Sequence, residues 1–133
     1  MAATMQVELV SPEKVLFSGE ATMVITRTLG GGDVAFLPGH APFLAALVEC
    51  HTKIHLSDGK IQDVAVHGGF VQVDGHKVSI LSDVAELSAQ IDVARAKSAK
   101  ERAEEAVRHG HDSDGGAALR RSNARLAAAS GAH

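Results

Sequence analysis

The chain has 133 residues, 45% of them apolar and only 3% aromatic, with a formal net charge of −3. That is enough for one domain plus an appendage, with a core built from Val, Ile, Leu, Ala and Met. Four Phe and no Trp or Tyr argue against a module that stacks bases on rings, so no nucleic-acid partner is expected.

Residues 4–87 show short runs of period 2. Met5, Val7 and Leu9 alternate with Gln6 and Glu8, and Met23 and Ile25 with Thr22, Val24 and Thr26. Further runs hold Ile54 and Leu56, Val71 and Val73, and Val78 and Ile80. Turn signals punctuate them at Ser18-Gly19, Gly30-Gly31-Gly32-Asp33, Pro38-Gly39, Ser57-Asp58-Gly59, Gly68-Gly69 and Asp74-Gly75. Many short strands at this spacing predict an antiparallel β-sandwich or flattened barrel.

From Ser88 the period changes. Residues 88–109 contain neither Gly nor Pro and are rich in strong helix formers. Ala96, Ala99, Ala103 and Ala106 form one narrow stripe, with Glu101, Glu104, Lys97, Lys100 and Arg108 outside it. His-Gly-His-Asp-Ser-Asp-Gly-Gly breaks the helix, and a second is predicted from about Ala117, with Leu119, Ser122, Leu126 and Ala129 on one face. The fold class is thus α+β: a sandwich over 1–87 and a C-terminal helical hairpin over 88–133. The hairpin is expected to be weakly held, because an alanine stripe buries few methylenes, each worth about 0.8 kcal/mol.

Charge divides along the same line. Residues 1–90 carry five Lys/Arg and ten Asp/Glu, and residues 91–133 carry eight and six. A basic tail on an acidic body suits an acidic partner or an anion, but charge alone favours a plain solvated helix. Cys50 stands alone, so no internal disulfide is expected, which fits a reducing compartment. No apolar run approaches the roughly 20 residues that span a bilayer. No charged-then-apolar leader is evident, so a soluble protein is expected, cytoplasmic or seated on a membrane complex.

Five blocks now stand in order: VELVSPEKVLFSGEA (7–21), GGDVAFLPGHAPFLAAL (31–47), VAVHGGFVQV (64–73), VSILSDVAE (78–86) and IDVARA (91–96). In this order and spacing the chain resembles the epsilon-subunit family of bacterial F-type ATP synthases over nearly its whole length. The resemblance implies a ten-stranded sandwich, two helices, and a non-catalytic place in the central stalk against the gamma subunit and the c-ring. It implies a tail that extends into the alpha/beta catalytic head, meets an acidic segment there and blocks ATP hydrolysis. It also implies a peripheral location on the cytoplasmic face of the cell membrane, held only through the complex. The chain departs from the common pattern at Ala35 and His67, where glycine and serine are usual, and in a short inter-helix region.

Asp92 and Arg95 have a structural explanation: an acid at a helix start interacts favourably with the dipole by about 0.3–1 kcal/mol, and an i,i+3 pair adds a few tenths. The resemblance adds a functional one, a regulatory ATP site. It would use Asp92 to accept from adenine or ribose, Ala96 to leave room, and Arg95, Arg102, Arg121 and Arg125 to clamp phosphates, with Glu86 at the family's acidic position. No cofactor is required; ATP would be a signal and would not be split. Asp33 matches an acidic c-ring contact, and His40 suits a structural or gamma-facing role.

Metal and catalysis have no support. His51 and His55 would share a strand face but lie roughly 13 Å apart at about 3.3 Å per residue, too far for one ion. His109 and His111 flank Gly110, and two ligands do not make a site. Neither a phosphate-binding Gly-x-x-x-x-Gly-Lys-Ser/Thr loop nor a Gly-x-Ser-x-Gly elbow occurs. The rival reading is a stand-alone ligand-binding sandwich with a helical tail, separated from the first by what co-purifies.

Overall fold

A computed structural model describes residues 3–110 and 113–131. Seven strands come first: β1 (Met5–Val10), β2 (Val15–Thr28), β3 (Gly32–Phe36), β4 (Phe43–Leu56), β5 (Ile61–Asp74), β6 (Lys77–Leu81) and β7 (Ala85–Leu87). A 3-10 turn at Ser88–Gln90 leads into helix α1 (Val93–Arg108) and then α2 (Ser113–Ser130). The strands pair in the order β1-β6-β5-β4-β2-β3, with β7 on β5. Because β1 also pairs β2, the path β1-β6-β5-β4-β2 closes on itself as a flattened barrel. Every ladder is antiparallel except β1–β6, which is parallel.

The expected ten strands are seven because three of them, β2, β4 and β5, are 14 residues long. The first half of β5 pairs β7 at Val64–Val66, and its second half pairs β6 at Phe70–Asp74. Likewise β2 pairs β1 through Ala21 and β3 from Val24. The long strands β2 and β5 therefore each serve different neighbours along their two halves. Two of the turn signals lie inside these strands: Ser18-Gly19 in β2 and Gly68-Gly69 in β5. Gly68 and Gly69 have φ of +87° and +119°, a region that disfavours side chains. The inward face changes there, from Val64 and Val66 to Val71 and Val73. The pair is a crimp within a strand rather than a turn between strands.

The core comes entirely from the strands, with Met5, Val7, Leu9, Val24, Phe36, Ile54, Val64, Val66, Val71, Val73, Val78 and Ile80 essentially inaccessible. In β2 the buried face is Ala21, Val24, Thr26 and Thr28, while Met23 and Ile25 are half-buried on the other. Thr26 and Thr52 share a hydroxyl bond of 2.8 Å, and Cys50 Sγ lies 3.4 Å from Thr26. Those hydroxyls are satisfied internally, so threonine is tolerated inside.

Helix α1 begins at Asp92, whose carboxylate accepts from the Arg95 backbone N–H at 3.0 Å. It ends at His109, where Gly110 at φ +64° turns the chain. The alanine stripe faces inward, with Ala96 and Ala103 buried and Ala99 and Ala106 half-buried. Helix α2 starts four residues before the predicted Ala117, and its inward residues are Ser122, Ala124 and Ala128. Of the predicted face, Ser122 is buried, while Leu119, Leu126 and Ala129 are only half-buried. The reason is steric: α2 lies on β4 and β5, where Ala65 meets Ala124 and Ala128 with Ile91 beside them, and small side chains allow the close approach. Helix α1 packs on α2. Among the described residues no helix is long and apolar enough to cross a membrane.

Candidate functional site

Four elements converge where the sandwich ends and the helices start. Glu86 comes from β7, Gln90 from the 3-10 turn, Asp92, Arg95, Ala96, Ala99 and Arg102 from the start and inner edge of α1, and Arg125 from α2. Together they line a cavity of about 320 Å³. Six of the seven residues singled out for nucleotide are in this lining: Glu86, Asp92, Arg95, Ala96, Arg102 and Arg125. Arg121 is not among them; it lies one turn before Arg125 on α2 and acts electrostatically on Glu49 and His67. Residues 96, 99 and 102 follow helical spacing, so the two alanines keep the wall low between the arginines.

The site is charged but unevenly satisfied. Arg125 Nε donates to Glu86 Oε1 at 2.6 Å, and His67 Nε2 lies 3.0 Å from the same oxygen. Burial works against the Glu86 charge, but the bonds from Arg125 and His67 outweigh it and hold the carboxyl below its usual range. Asp92 uses Oδ1 to cap the helix, and a carboxylate keeps further acceptor capacity. The expected Asp92–Arg95 side-chain pair does not form; the bond goes to the Arg95 backbone. Among the described residues Arg95 and Arg102 have no carboxylate partner. Three guanidiniums against two carboxylates, one already paired, leave a surplus of bidentate donors for an anion. Gln90 and Ala99 escaped the sequence reading. Gln90 Oε1 also accepts from the Leu87 backbone N–H at 3.1 Å, pinning the turn that sets the cavity floor.

A second set of contacts moors α2. Arg120 Nε donates to Glu49 Oε2 at 3.0 Å. Burial disfavours the Glu49 charge, but its own backbone N–H and Arg120 lower its pKa overall. Neither Glu49 nor Arg120 carries a sequence signal, because the pair spans β4 and α2.

Asp33 lies at the start of β3 and His40 in the loop between β3 and β4. Asp33 is exposed and paired with Arg27 at 2.9 Å, a hydrogen bond that lowers the Asp33 pKa and raises that of Arg27. His40 packs edge-on against Phe36 and Phe43, with centroids 5.1 and 6.0 Å away, and its Nδ1 lies 2.7 Å from the Ala41 carbonyl. His51 Nε2 lies 2.6 Å from Asp63. No group of three or more metal-ligating side chains occurs among the described residues, and His111 lies outside them.

Known proteins resemble the chain in both parts. The family model described as the ATP synthase delta/epsilon chain β-sandwich domain matches residues 4–88, ending where the helices begin. An ATP synthase epsilon chain of Streptomyces coelicolor is 43% identical over 132 residues, covering 98% of this chain and 99% of that one. One of Brevibacillus brevis is 47% identical over 100 residues, 75% of each chain. Among solved structures, a chain of the Euglena gracilis mitochondrial ATP synthase (OSCP/F1/c-ring) superposes with a TM-score of 0.81 at 22% identity, covering 96% of this chain and 81% of that one; at that identity the likeness is one of fold. With the sandwich matched along its length and the helices included in the relatives' alignments, the chain belongs to the delta/epsilon family of ATP synthase subunits, alongside its epsilon chains.

Proposed function

We propose that the chain is the non-catalytic epsilon subunit in the central stalk of a rotary ATP synthase, with its hairpin acting as a nucleotide-controlled brake on ATP hydrolysis. The sandwich couples the gamma subunit to the c-ring, with Asp33 and His40 on the contacting end. The subunit is held at the cytoplasmic face of the membrane only through the complex. Undocked, the basic helices reach toward the alpha/beta head and block hydrolysis; docked, they lie clear of it.

The observation that carries the regulatory part is the convergence of Glu86, Asp92, Arg95, Ala96, Arg102 and Arg125 on one cavity. That cavity is built from β7, α1 and α2, so it exists only while the hairpin is docked. A ligand that binds only this state stabilises it by linkage: at about 100 times its dissociation constant the gain is roughly 2.7 kcal/mol. The arginines suit the phosphates of ATP, and Asp92 and Glu86 suit its amino and hydroxyl donors. Nothing in the lining supplies an activated nucleophile, so the nucleotide is read and not consumed.

The test is ATP hydrolysis by the reconstituted head and stalk, with the full chain and with a chain ending at Gln90. Faster hydrolysis without the tail is expected; equal rates refute the brake. Hydrogen exchange of residues 91–130 with and without millimolar ATP addresses the nucleotide separately, and unchanged protection removes that part.

A further inference from the structure

His67 lies on β5 beneath α2, and its side chain is only 2% exposed. Its Nε2 is 3.0 Å from Glu86 Oε1, the oxygen that also accepts from Arg125 at 2.6 Å. Its Nδ1 is buried without a hydrogen-bond partner. An ionised carboxylate only accepts, so Nε2 carries the proton and donates, and Nδ1 is a bare acceptor. A second proton at Nδ1 would therefore meet no acceptor.

The surroundings sharpen that conflict. From α2, Arg121 and Arg125 face the ring and oppose a positive charge on it. Arg120, on the same helix, is engaged by Glu49, which stands opposite His67 in the β4–β5 ladder. From β7 comes Glu86, which favours the charge. Asp83 sits in the turn where the Val84 carbonyl accepts from the His67 backbone N–H at 3.0 Å. Burial dominates, and with the two arginines it outweighs Glu86, so docked His67 binds a proton less readily than a free imidazole.

We propose that His67 is a proton-operated latch: the neutral ring seats α2 through Glu86 and Arg125, and protonation at Nδ1 releases the hairpin. With α2 gone the ring loses its cover and both facing arginines, and regains ordinary basicity. Protons thus favour the undocked state. Docking is fully supported above the free-imidazole range, near about pH 6.5, and weakens as pH falls through the docked value. Glu86 and Glu49 hold depressed pKa values, so their own titration lies further into acid. The latch needs no nucleotide, and it goes beyond the ATP reading.

The experiment is hydrogen exchange of the α2 amides in the full chain, without nucleotide, between about pH 7.5 and about pH 5.5. After correction for intrinsic rates, the α2 opening constant should rise in acid, by up to about tenfold at about pH 5.5, about one unit below the free-imidazole value. His67→Gln retains a donor for Glu86 but cannot be protonated, so its opening constant should stay level. Arg121→Gln removes one opposing cation, so its rise should be smaller than wild type. Protection at Val71 and Val73 in the same data reports whether the sheet is intact. A level response in the wild type, or an equal rise in His67→Gln, overturns the latch. So does an NMR titration of His67 at or above the free-imidazole value.

Discussion

At Gly69, φ is +119° and a Cβ would stand 2.0 Å from the Leu81 carbonyl oxygen. Both the backbone conformation and the contact penalise any side chain. Gly69→Ala is expected to destabilise the fold by about 3 kcal/mol, combining backbone strain and overpacking; a lower urea midpoint with an unchanged slope would show it. Its role escaped the sequence because a Gly-Gly pair marks a turn as well as a crimp, and only the pairing of β6 and β7 with different halves of β5 tells them apart. Asp92 was more legible as a helix start, although the sequence pointed to the dipole and an Arg95 side-chain pair, and the structure shows a cap on the Arg95 backbone. Asp92→Ala removes the cap at a cost of about 1 kcal/mol. Faster exchange at the first amides of α1 is the expected readout, with the sandwich unchanged.

The docking of α2 on the sheet rests on small side chains. Its buried apolar contact is Ala65 against Ala124 and Ala128, with Ile91 at the edge, and at about 0.8 kcal/mol per buried methyl the three alanines supply only about 2 kcal/mol. The Arg120–Glu49 pair is partly exposed, and pairs of that kind contribute about 0–1 kcal/mol. Ala128→Leu overpacks this seam by about 1–3 kcal/mol, enough to offset most of the docking. Exchange across α2 should then rise while β5 remains protected; a response shared equally by both would contradict loose mooring. Acid acts on the same join in a second step. Glu86 is held below its usual pKa, so its docking contribution is complete above the ordinary carboxylate range and is lost as pH falls through the depressed value.

For the whole molecule, every residue of the main core precedes Ser88, and the strands close without help from the helices. A chain ending at Gln90 is therefore expected to unfold in a single cooperative transition, seen by denaturant titration; a broad, non-cooperative melt would contradict a self-sufficient sandwich. In the full chain, ATP should protect α1 and α2 and leave β1–β6 unchanged, and Arg102→Ala should abolish that response without altering the fold. Periodicity and turn residues alone determined the change from strands to helices, the alanine seam of α1 and the helix start at Asp92, because these depend on neighbours a few positions away. Only the tertiary structure decided that β2 and β5 change neighbours along their length, that α2 seats on alanines instead of leucines, and that Arg121 lies outside the cavity Arg125 lines. It also decided that one Glu86 oxygen serves both Arg125 and His67. These outcomes depend on which distant surfaces meet and how closely they approach, and a residue's spacing along the chain carries little of that information.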